Sequence, residues 1–421
     1  MKRARSLSPG LLPSKRPKAA CLTYDALTEH NQRTRPFSPV ALFDMESLNN
    51  RLSDVPIIPP PSSRSSQRSR SSSPSKPSDA QYRGGHLRRA NIFVDDEIPF
   101  DVSQYADTNV FHDILSDDND KLHPISEKLW KKSTELVKKP SGEAEWTEAL
   151  HAAIDEMRIE GIEVVRNRDW REDLKPPVHN PRSTIPRKRN QSHQTLHETT
   201  ADGTVYPSPH SLRAMEQQPI PIFKLKDPRP DICVGLSDDY LAKALEPSKG
   251  RSTARSFLYD LQDTSTLISD PHITPLGLRF PFLIVEAKAG ATGGNLYQAQ
   301  NQAAVAGSTA VQIFETLLDL HCAQTLDQEY AGNIEGSNIS VQHPTGVMLH
   351  LAFSITTEGP IHELWLHFRR PGEEDFYMGC RGTWRTTLKE SSLDFLRHLA
   401  AVLRWGNSIL KDNIISALQG L

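Results

Sequence analysis

Phe280-Pro281-Phe282-Leu283-Ile284-Val285-Glu286-Ala287-Lys288 is an apolar run that ends on an acid and a base. A run this apolar suits a central strand covered on both faces. Successive strand residues point to opposite faces, so Glu286 and Lys288 share one, ~7 Å apart, while Ala287 points away. Unpaired charge is costly to bury at the end of such a strand, and a bound divalent cation is one way to compensate. Upstream, Asp231-Ile232-Cys233-Val234-Gly235-Leu236 reads as a second buried strand. Asp231 opens it after Pro230, so its carboxylate could meet Glu286 at the same sheet edge. Two carboxylates, a backbone carbonyl and waters make a hard-oxygen site for Mg²⁺ or Mn²⁺. The Lys288 ammonium then orients the attacking water or stabilises charge on a phosphate. Spacing alone leaves a plainer reading open, a Glu–Lys pair at a strand end with Asp231 capping a turn.

Working outward, Trp146, Leu150, Ile154 and Met157 recur at helical spacing and predict an amphipathic helix over about 142–160. Residues 238–246 read as a short helix. After Gly290-Ala291-Thr292-Gly293-Gly294 comes a long helix, about 295–320, whose small residues (Ala303, Ala304, Ala306, Gly307, Ala310) permit close packing on a sheet. Residues 346–356 and 361–368 alternate polar and apolar around Thr357-Glu358-Gly359-Pro360, a hairpin pattern. A further strand is expected at 375–385. Leu393, Leu396, Leu399, Ala400 and Leu403 mark a closing helix. The fold class is therefore α/β, a mixed central sheet flanked by helices. No internal repeat is evident. The 54 residues between Asp231 and Glu286 must loop out as a subelement of their own.

The chain has 421 residues, 37% of them hydrophobic, with 31 prolines and a net charge of −3. Residues 1–90 carry 16 Lys and Arg against 6 Asp and Glu, which leaves 33 basic and 46 acidic residues in 91–421. The basic character belongs to the tail, and no large positive field on the globular part advertises nucleic acid. The run Pro56-Ile57-Ile58-Pro59-Pro60-Pro61 and the Ser/Arg tract 62–78 cannot offset ordering entropy by burial, so 1–90 is expected to be disordered. In that tail, Lys2-Arg3 and Lys15-Arg16-Pro17-Lys18 flank an eleven-residue spacer, the arrangement of a bipartite nuclear-import signal. That predicts an import receptor as partner and the nucleus as location; a generic basic tail is the alternative. Residues 91–140 read as a mixed linker with short helices around 125–138. The domain proper is expected over 141–421, with an irregular insertion at about 171–228. Four scattered cysteines give neither a disulfide framework nor a zinc pattern. No apolar run reaches the ~18 residues a membrane span needs.

Rival motifs are weak. The 290–294 loop matches neither GxGxxG nor GxxxxGK[ST], and Lys249-Gly250-Arg251-Ser252-Thr253 lacks the upstream glycine of a P-loop. His362 and His367, five apart on a predicted strand, face opposite sides. No GxSxG elbow occurs.

Pro230-Asp231 followed by Glu286-Ala287-Lys288 resembles the PD-(D/E)xK nuclease superfamily. The longer stretches 229–236, 278–288 and 299–303 resemble the fungal PD-(D/E)xK nuclease-like domain proteins over about 140–415. This resemblance implies a restriction-endonuclease-like core and a nuclease that hydrolyses nucleic acid, DNA foremost. Asp231 and Glu286 would hold Mg²⁺ or Mn²⁺, with Lys288 supporting the nucleophile or transition state. The superfamily often adds a Glu on its first helix. Glu143, three before Trp146 and seven before Leu150, lies on the face that packs towards the sheet, though an acid in a first turn also complements the helix dipole. A polar residue on the helix after ExK is also common there, with Gln298 and Gln302 the candidates and plain helix surface the alternative. The competing function is a catalytically inactive module that keeps the fold for nuclear nucleic-acid or protein binding.

Overall fold

The computed structural model describes residues 80–112, 114, 119–179, 223–332, 351–370 and 372–421. The import clusters and the Ser/Arg tract lie outside these residues, as does 180–222 of the expected insertion. The described part is an α/β fold built on one seven-stranded mixed sheet flanked by helices.

In chain order the strands are β1 (Ile92–Val94), β2 (Ile162–Arg166), β3 (Ile232–Ser237), β4 (Leu278–Lys288), β5 (Ala352–Glu358), β6 (Ile361–Arg369) and β7 (Phe376–Arg385). They lie side by side as β1-β7-β6-β5-β4-β3-β2. The β1–β7 and β4–β5 pairs are parallel and the rest antiparallel. Every residue of β4 is buried, which is why its sequence is a continuous apolar run and not an alternating one.

The helices are α1 (Tyr82–Leu87, wound as a π-helix), α2 (Phe100–Asn109), α3 (Asn119–Leu136), α4 (Glu143–Glu156), α5 (Asp238–Lys249), α6 (Arg251–Asp263), α7 (Leu296–Gly332), α8 (Lys389–Trp405) and α9 (Lys411–Gly420). The two strand histidines show how they are layered. His362 stacks on Phe395 of α8 with ring centroids 4.7 Å apart, whereas His367 lies against Gly307 of α7. The helices α7 and α8 therefore cover opposite faces of the sheet. A Cβ at Gly307 would sit 2.2 Å from His367 Nδ1, so only glycine lets α7 approach this closely.

The 54-residue connection from Asp231 to Glu286 forms a subelement of its own. It holds the hairpin of α5 and α6, and β3 still pairs antiparallel with β4.

The N-terminal boundary differs from the sequence reading. Residues 80–90, expected in the tail, include α1. Residues 91–140, expected as a linker, supply β1, α2 and α3 to the domain. β1 is three residues long, too short to register as a pattern, and it takes its place by parallel pairing with Phe376–Met378. α3 runs through Pro124 as one helix because Leu122, Ile125, Leu129 and Leu136 keep an apolar face on both sides of it. Packing that face onto α8 and α4 outweighs the one backbone bond the proline removes. Among the described residues no helix is long and apolar enough to cross a membrane.

Candidate active site

The site forms where β3 begins and β4 ends. Ile232 pairs with Val285, so one step further Asp231 stands across from Glu286. Two bonds lock it there: its N–H donates to the Val285 carbonyl (3.0 Å), and its Oδ2 accepts from the Ala287 N–H (2.7 Å). Lys288 shares a strand face with Glu286. Its Nζ donates to the Ala287 carbonyl (2.6 Å) and to Glu143 Oε1 (3.2 Å), and lies 3.9 Å from Asp231 Oδ2.

Glu143 arrives by helix capping. Glu145 Oε2 accepts from the Gly142 N–H at 2.9 Å, which fixes the first turn of α4. Glu143 opens that turn, and burial of Trp146, Leu150 and Ile154 holds the helix against the sheet. The structure thus brings Asp231, Glu143 and Lys288 together around the Ala287 carbonyl, with Glu286 beside Asp231.

Charge here is buried at a cost. Glu286 is 2% exposed, and its carboxylate accepts no hydrogen bond from another described residue. Burial pushes its pKa well above the ordinary carboxylate range and neighbouring Asp231 adds to the rise, against the opposing pull of Lys288 and Lys226. Burial also raises the pKa of Asp231, offset by the Lys288 ammonium and the Ala287 N–H.

Beside Glu286 a small pocket opens, lined by Tyr82, Lys226, Arg229 and Gln302 among others. Of the two glutamines expected on α7, Gln302 therefore reaches the site, and its buried Oε1 has no hydrogen-bond partner among the described residues. Gln298 does not line the pocket; its N–H is spent on Asn295 Oδ1 (2.8 Å) at the start of α7. Lys226, Arg229 and Tyr82 are absent from the sequence reading. The first two could have been found, because Lys226-Asp227-Pro228-Arg229-Pro230 leads straight into Asp231 and its prolines keep it extended. Tyr82 carries no such signal, since Gln81-Tyr82-Arg83-Gly84-Gly85 falls in the stretch 1–90 expected as disordered tail.

Among the described residues no group of three or more His, Cys, Asp or Glu side chains stands in metal-holding geometry. The donors present are nevertheless of the right kind for a hard cation: Asp231 and Glu286 across two strands, and the backbone carbonyl of Ala287 next to Glu286 in the chain. The Lys288 ammonium already draws the Ala287 carbonyl, Glu143 and, at longer range, Asp231 around one positive charge.

A family model described as a domain of unknown function, DUF7924, matches residues 165–418. That span includes Asp231, Glu286, Lys288 and Gln302 but neither Glu143 nor Tyr82. No curated protein and no solved structure matches the chain.

Proposed function

We propose, for a chain that belongs to the DUF7924 family of domains of unknown function, a metal-dependent nuclease of the PD-(D/E)xK type that hydrolyses phosphodiester bonds of nucleic acid, DNA foremost. The observation that carries this reading is the pairing of Asp231 with Glu286 at one sheet end, beside a lysine that three oxygens already surround. Burying two carboxylates next to each other costs the metal-free fold stability, and sites that hold charge at such a cost are enriched in function.

Asp231, Glu286 and the Ala287 carbonyl would hold Mg²⁺ or Mn²⁺, which when bound activates a water and offsets phosphate charge. Lys288 places its ammonium where negative charge develops during attack. Glu143 holds that ammonium in position from α4. Lys226 and Arg229, exposed at the pocket mouth, give an incoming phosphate two cations outside the acidic centre.

The test is calorimetric titration of Mn²⁺ into the full chain. Wild type binds, and Asp231→Asn combined with Glu286→Gln abolishes binding; an unaltered isotherm would place the site elsewhere. A second reading, a non-hydrolytic binding module of the same fold, draws support from the acidic balance of 91–421 and from the closed Lys288–Glu143 pair. Metal binding without cleavage of single- or double-stranded DNA or RNA would favour it.

The basic clusters of the tail support nuclear import through a receptor. Alanine at Lys2, Arg3, Lys15, Arg16 and Lys18 should leave the protein outside the nucleus, and undiminished nuclear accumulation counts against that location signal.

A further inference from the structure

Tyr82 stands in the wall of the same pocket as Glu286, yet it comes from α1, before the residues the family model matches. Its side chain is 1% exposed and stacks on His86 with ring centroids 5.1 Å apart and planes 15° from parallel. α1 is fastened on both sides. Arg83 donates to Asn301 Oδ1 (2.7 Å) and Gln300 Oε1 (2.8 Å) and lies 3.8 Å over the Tyr297 ring, all on α7. His86 Nδ1 meets the Lys224 carbonyl at 2.8 Å. Tyr82 is thus held as rigidly as a core residue while facing a pocket with a buried acid in it.

The phenol oxygen accepts a hydrogen bond from the Lys226 N–H at 3.0 Å. That contact uses a lone pair, so the single phenolic proton is left to point elsewhere, and it is donated to none of the described residues. Burial pushes the phenol up to about 12, so the proton stays in place at any working pH. In the same pocket lining, Gln302 Oε1 is buried and has no donor among the described residues. A donor without an acceptor and an acceptor without a donor therefore line one pocket beside Glu286. Orphaned buried polar groups of this kind point to a polar guest between them.

We infer that Tyr82 is a positioning residue of the site: with Gln302 it holds one water beside Glu286. A water accepting from Tyr82 and donating to Gln302 keeps a lone pair free to aim at phosphorus. No proton leaves Tyr82, so its effect lies in orientation. This inference rests on the nuclease reading and extends it to a residue from the N-terminal segment.

The test uses the full chain with Mn²⁺, measuring single-turnover DNA cleavage, equilibrium DNA binding and thermal unfolding. Tyr82→Phe keeps the ring and its stacking on His86. It should slow cleavage ~10-fold or more, the lower end of what losing an outer-shell partner costs, with DNA affinity and melting temperature little changed. Gln302→Leu should do the same, and the double variant should lose little beyond either single, because both remove one held oxygen. Tyr82→Phe cleaving at the wild-type rate overturns the inference. So does a parallel loss of stability and DNA affinity, which marks a purely structural tyrosine. If Tyr82→Phe does not fold, Gln302→Leu decides alone, and full cleavage by that variant also overturns the shared-oxygen arrangement. A wild type that cleaves nothing removes the nuclease reading itself, and this inference falls with it.

Discussion

Glu286 concentrates the energetics of the site in one side chain. It is buried beside Asp231, and the cations that act on it are engaged or exposed: Lys288, two residues on along β4, turns towards Glu143, and Lys226 stands at the pocket mouth. A carboxyl whose folded pKa is raised favours folding while it is protonated. That contribution is whole below the unfolded value of about 4.3 and is lost as pH rises through the folded value. Between those two values the metal-free protein loses stability as pH rises, because burial opposes ionisation of Glu286. Glu286→Gln keeps the shape and removes the charge. In metal-free protein it should raise the melting temperature by a few degrees, at about 2–4 °C per kcal/mol for a domain of this size. The gain should grow as pH climbs from about 4 and shrink when Mn²⁺ is added to the wild type. Thermal unfolding across pH with and without Mn²⁺ checks this, and a variant less stable than wild type at pH 7 contradicts it. The same logic with opposite sign holds for His362 and His367, whose pKa values burial lowers to about 3. Both are neutral in the fold, so their contribution is whole above the unfolded value of about 6.5 and is lost as pH falls towards 3.

At the scale of elements, β1 and α3 belong to the domain, and a fragment beginning at residue 141 would lose both. It would leave the outer edge of β7 unpaired and strip α3 from α8 and α4. Such a fragment should aggregate or melt far below the full chain, which size-exclusion chromatography and calorimetry can show; a monomer as stable as the full chain would contradict this architecture. How legible each element was follows from its length and period. β4, β6, α4 and α8 each bury several residues at one spacing and stand out in the sequence. β1 offers three residues, and the sequence predicts only short helices around 125–138, where the structure has one helix, α3, from Asn119 to Leu136. The residues of the site divide the same way. Asp231, Glu286 and Lys288 interrupt apolar strands and announce themselves, whereas Tyr82 sits among glycines and arginines and reaches the pocket only through tertiary contacts of α1.

The whole molecule sets an acidic folded part behind a basic tail, so any attraction for nucleic acid within the domain must be local. Lys226 and Arg229 line the pocket beside Glu286, and the proposed nuclease activity stands or falls on whether that pocket cuts. Lys288→Met keeps the aliphatic bulk and leaves Asp231 and Glu286 free to take a metal. The deciding measurement is single-turnover cleavage of DNA by the full chain with Mn²⁺, wild type beside Lys288→Met, with DNA affinity followed in parallel. The nuclease reading predicts cleavage by the wild type and a fall of ~10²-fold or more in the variant at nearly unchanged affinity, the scale of losing one well-placed electrostatic stabiliser. Equal rates for the two proteins, or no cleavage by the wild type, would contradict it.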